Sequence, residues 1–167
     1  MKLAPLFLAA AAASTLFVTG CGRPAFLVFD RNSAYQEALG FTREGEVRNY
    51  FETKALVTAT YMNPLDGERF KDGEFFFVGL YIDDDFEGEK GGLNNPFFRL
   101  TLNGEIPLEY YEVEEEDPML KTMPLVNRWS RYYVVRFPET AEGALTLTLV
   151  HESTASVSLP FSKGPSK

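Results

Sequence analysis

The 167-residue chain holds one cysteine, one histidine and one tryptophan, and each scarcity closes off a class of chemistry. With Cys21 alone there is no internal disulfide, so stability must come from a packed core. With His151 alone there is no histidine-based metal cluster. No Gly-x-Ser-x-Gly, His-x-x-x-His or Cys-x-x-Cys spacing accompanies it. Hydrolytic and zinc catalysis therefore have little to stand on; the chain reads as non-enzymatic, with no cofactor and no metal expected. Basic residues are short as well: 16 Lys and Arg stand against 24 Asp and Glu, a formal net charge of −8. Such a balance argues against nucleic acid, whose affinity rests on neutralising phosphates. Internal repeats and long helical patterns are also missing.

What is present begins at the first residues. Lys2 precedes a 16-residue apolar run over 3–18, broken weakly by Ser14 and Thr15. The run is too short to span a bilayer and right for a signal-peptide core. It ends in Val18, Thr19, Gly20 and Cys21, an aliphatic residue, a small polar one, Gly and Cys. This resembles the lipobox of bacterial lipoproteins, over residues 1–21 only. The resemblance implies that the Cys21 sulfur takes a diacylglyceryl group, that cleavage precedes Cys21, and that the new amino terminus is acylated, as with palmitate. Two or three chains make anchoring stable, since each buried CH₂ contributes about 0.8 kcal/mol. Gly22 stands where an Asp would argue for inner-membrane retention, so the resemblance favours the outer membrane, on its periplasmic face.

The expected organisation is a signal peptide over 1–20, a lipidated N-terminal segment with a short helix over 21–42, a β-sandwich over 43–162 and a tail over 163–167. Taking Lys2 away with the signal peptide leaves 15 basic against 24 acidic residues, net −9, on 147 residues. That is enough for one ordinary domain. The stretch 23–29 is apolar and reads as a first edge strand or a docked segment. Asn32 or Ser33 can cap a helix that Gly40 ends.

From Arg43 onward the period is two. Phe51, Thr53, Ala55, Val57, Ala59 and Tyr61 share one face of a long strand. Residues 75–82 are apolar on both faces, as in a central strand. Asn103-Gly104 between 97–102 and 106–113 is a two-residue hairpin signal. Strands over 132–137, 145–149 and 157–161 follow. About seven strands at this spacing predict an all-β fold, an antiparallel β-sandwich of immunoglobulin-like architecture. A closed lipocalin-type barrel is the competitor.

Two acidic segments stand out. From Asp83, acidic groups fall at positions 1, 3 and 5 (Asp83, Asp85, Glu87) with Gly88 at 6, as in a calcium loop, and Glu89 follows. Asn94 replaces the closing Glu and Lys90 an aliphatic residue, so a solvated loop is the favoured reading. The second segment, over 112–117, leads into Met119, Leu120, Met123 and Leu125, an apolar set for a connection. Beyond it lie Arg128, Trp129 and Arg131, residue types that dominate binding hot spots. Leu120, Met123, Arg128, Trp129 and Arg131 are the candidate partner contacts. The competing reading makes the loop to Leu125 a flap that covers one end of the sandwich core, and Trp129, at a strand start, a core residue. The expected function is a lipid-anchored, non-enzymatic interaction or assembly component of the bacterial envelope, held on the membrane by its lipid and meeting an envelope protein. The alternative is a small-ligand or Ca²⁺-binding module using 83–94.

Overall fold

The computed structural model describes residues 33–152 and 155–163. The apolar run, the 18–21 motif with Cys21, the 23–29 stretch, Asn32 and residues 164–167 lie outside the described residues.

A two-turn helix, α1 (Ser33–Gly40), leads into β1 (Thr42–Asn49), β2 (Glu52–Tyr61) and β3 (Glu74–Ile82). Then come β4 (Phe98–Leu102), β5 (Glu109–Glu112), a single turn α2 (Met119–Thr122), β6 (Arg131–Phe137), β7 (Ala144–His151) and β8 (Ala155–Ser162). Every ladder is antiparallel. One sheet has the order β1-β2-β3-β6-β5, the other β4-β7-β8. No ladder joins the two sheets among the described residues, so the architecture is all-β in two sheets, without the barrel's closure.

Alternation builds the core between the sheets. Leu145, Leu147 and Leu149 of β7 are buried while Thr146 faces solvent, because the period of two sends them to opposite sides. They meet Ala55, Val57, Ala59 and Tyr61 of β2, Phe76, Val78 and Leu80 of β3, and Val135 and Phe137 of β6. Phe76 packs edge-on against Phe137 and Phe161. The sheets come closest where β1 meets β8: a Cβ on Gly45 would stand 2.6 Å from Val157 Cγ2, so only glycine fits there.

The end of the sheets nearest α1 is closed by a buried carboxylate. Glu74 accepts from the Tyr61 hydroxyl at 2.7 Å and from the Thr140 N–H at 3.2 Å, and pairs with Lys163 at 2.5 Å. Burial and the Glu74 contact push the Tyr61 phenol well above its ordinary range. Both oxygens of a carboxylate that water cannot reach are thus satisfied, as burial requires.

Two sequence expectations change. The period-two stretch beginning at Arg43 is two strands, which brings the count to eight. The chain turns at Tyr50 and Phe51, so Phe51 lies at the hairpin tip, 98% exposed, and not on the core face with Val57. This turn carries no Gly or Asn at its centre; Tyr50 itself takes φ 55°, a strained choice that hides it from turn rules. Asn103-Gly104 does form a tight turn, with φ 48° and 90°, but only Leu102 and Glu105 pair across it. The chain then crosses to the other sheet, since Pro107 has no N–H to extend a ladder.

A second, smaller cluster lies on the outer face of the five-stranded sheet. Phe77, Tyr132 and Val134 are covered there by Met62, Phe70 and Val113, with Leu120, Met123 and Val126 packed on top. The segment 113–126 is therefore a cover over half of that face.

Candidate functional site

The other half of the outer face stays open, and its composition follows from register. Glu44 of β1 faces Thr58 of β2, which faces Gly79 of β3; one row along, Glu46 faces Leu56, which faces Tyr81. All six positions share the outward phase. Where Phe77 and Val134 fill the covered half, Gly79 brings no side chain of its own, and Thr58 and Tyr132 close in over it: a Cβ there would stand 2.5 Å from Thr58 Oγ1 and 2.6 Å from the Tyr132 ring. The loop 125–130 walls this open half into a groove of about 830 Å³.

That wall is tied down. Tyr132 stacks on Phe77, with ring centroids 5.4 Å apart, and its hydroxyl accepts from the Asn127 N–H at 2.6 Å and donates to the Asn127 carbonyl at 3.1 Å. The Asn127 side-chain oxygen then accepts from the Trp129 and Ser130 N–H groups at 2.9 and 3.0 Å. This Asx-type turn holds the indole out over the groove. Trp129 is 69% exposed, with Leu56 at 46% and Leu125 at 39%. Of these four bonds only one is made by Trp129 itself, through its backbone N–H, so they fix the backbone beneath an indole that stays largely exposed. No protein-family model, curated protein or solved structure matches the chain. The groove must therefore be read from its own chemistry.

The predicted partner contacts divide. Trp129 lines the groove and Arg128 stacks on its ring at 4.8 Å, both exposed. Leu120 and Met123 sit in the cover over the second cluster, half-buried. Arg131 turns away, donating to the Gly88 and Phe86 carbonyls, and so fastens the 83–97 loop to β6. Within that loop Asp85 points inward. Its carboxylate accepts from the Phe86 and Gly92 N–H groups and the Asn95 amide, at 2.8, 2.7 and 2.8 Å. Asp83, Glu87 and Glu89 are exposed, and no three potential metal ligands converge among the described residues. His151 packs half-buried on Phe98 at the end of β7.

Glu44, Glu46, Leu56 and Tyr81 were not singled out by the sequence. The available signal was Leu56, an apolar residue on the polar phase of an alternating strand.

Proposed function

We propose that this chain is a lipid-anchored protein of the bacterial envelope, held through Cys21 on the periplasmic face of the outer membrane. It acts there as a non-enzymatic interaction or assembly component that docks an envelope protein. The observation that carries the docking reading is Trp129, exposed yet pinned by the Asn127 turn on the rim of a groove with apolar floor residues. Aromatic anchors of this kind, few in number and held rigid, supply most of the affinity at protein contacts. The 18–21 motif supports the anchor, and the scarcity of histidine and cysteine supports the non-enzymatic part. The two-sheet frame is read as immunoglobulin-like in architecture, a scaffold that presents the groove without itself defining a function.

Two measurements test the reading. Fatty-acid labelling of cells should mark the protein and fail on Cys21→Ser; label that persists in the variant defeats the anchor. A photoreactive residue in place of Trp129 should give one discrete protein adduct in intact envelopes, lost when Leu56→Asp is added. No adduct, or one indifferent to Leu56→Asp, removes the groove as the docking site.

A further inference from the structure

We infer that the groove takes an extended peptide segment carrying lysine or arginine at alternate positions. This deepens the docking reading above and rests on it. The observation is the charge of the walls. Glu44 and Glu46 line the groove, and no Lys or Arg does. Glu44 has no ion pair or side-chain hydrogen bond among the described residues. Glu46 is held only by Arg48 at 3.1 Å and Thr53 at 3.2 Å, both contacts exposed and screened, so it exchanges partners cheaply.

The two carboxylates are two residues apart on one strand, and so about 6–7 Å apart along it. Alternate side chains of an extended ligand have the same repeat. Two cations on such a segment would meet both carboxylates at once, which a single charge would not. Between carboxylates and wall lie Leu56 and Tyr81, and Trp129 stands in the wall itself. A lysine or arginine stem covers apolar surface of that kind while its head reaches the charge. The indole face adds a cation–π contact, and Arg128, which does not line the groove, shows that this ring already accepts a guanidinium.

Trp129 is the only tryptophan of the chain, so its emission reads this groove and nothing else. The lipidated full chain in zwitterionic detergent is titrated with three eight-residue synthetic peptides: alternating lysine and alanine, glutamine and alanine, and glutamate and alanine. The lysine peptide should shift Trp129 emission saturably, bind about tenfold or more tighter than the glutamine peptide, and weaken as salt rises. The glutamate peptide should not bind. Glu44→Gln with Glu46→Gln should bring the lysine peptide down to the glutamine level, whereas Glu114→Gln with Glu115→Gln should leave it unchanged. Equal binding of lysine and glutamine peptides, or a preference that survives in the Glu44/Glu46 variant, overturns the inference while the groove survives as an apolar dock. If no peptide moves Trp129 emission, the inference is overturned, and the adduct at position 129 decides separately whether the groove docks anything.

Discussion

The five-stranded sheet presents two faces made by the same strands, and they differ in what holds them. Toward the second sheet, Ala55, Val57 and Ala59 of β2 alternate with outward residues and are almost wholly excluded from water. On the outer face, Phe77 and Val134 are buried under the 113–126 segment, whereas Leu56 and Tyr81, a few positions along, remain open beside Trp129. Burial is thus complete on one face and partial on the other, and the boundary falls at Gly79. The chain spends apolar side chains on both halves of the outer face but supplies a cover for only one. The uncovered half is where function is to be sought, because surface apolar residues grouped around a groove are not needed to close this fold.

The comparison is tested most severely on the inner face. Leu147 is 1% exposed and lies at the centre of β7, paired to Leu102 on one side and Leu159 on the other. Leu147→Ala should cost about 2–5 kcal/mol, the transfer term plus the cavity left behind. Thr146→Ala, on the solvent side of the same strand, should cost much less. Thermal melts followed by circular dichroism measure both. Equal losses would mean that the register is wrong.

Which parts of this were legible beforehand follows from how local each signal is. The alternation of Leu145, Leu147 and Leu149 with threonines is a local pattern, and the strand formed where it predicted. The apolar run over 75–82 marked a central strand for the same reason: β3 is paired on both edges, its inner face is buried and its outer face is covered as far as Phe77. The β1–β2 turn was illegible because Tyr50 stands in a backbone region that turn rules assign to Gly or Asn. The Asn103-Gly104 turn was legible, but the destination of the chain beyond it was not, since sheet membership depends on contacts far away in sequence. The groove was half visible. Trp129 declared itself by residue type, while Glu44, Leu56 and Tyr81 become neighbours only through cross-strand register.

The covered half of the outer face gives an intermediate case. Leu120 and Met123 are half-buried against Phe77, Tyr132 and Val134. Leu120→Asp with Met123→Asp should destabilise the fold by about 2–3 kcal/mol, since two carboxylates would be driven against an apolar cluster with no partner. A chemical denaturation midpoint that drops accordingly assigns this segment to the core. An unmoved midpoint would return it to the list of free contact surfaces.

The smallest effect on stability is expected on the open half, and its smallness is the informative part. Trp129 packs through its Arg128 contact and its backbone is held by Asn127, so truncating the indole leaves those backbone bonds in place. Nothing buried loses a partner and no cavity opens. Trp129→Ala should therefore change the unfolding free energy by no more than about 0.5 kcal/mol, the range of surface substitutions away from special features. Tyr132→Phe reaches the same wall from beneath. It removes the hydroxyl that grips Asn127 twice and should cost about 1 kcal/mol or somewhat more. Denaturant titrations of the two variants separate a wall built for the fold from a wall built for a partner. If Trp129→Ala proves the costlier of the two, the indole is a packing residue, and the open half of the sheet loses its claim to be the working surface.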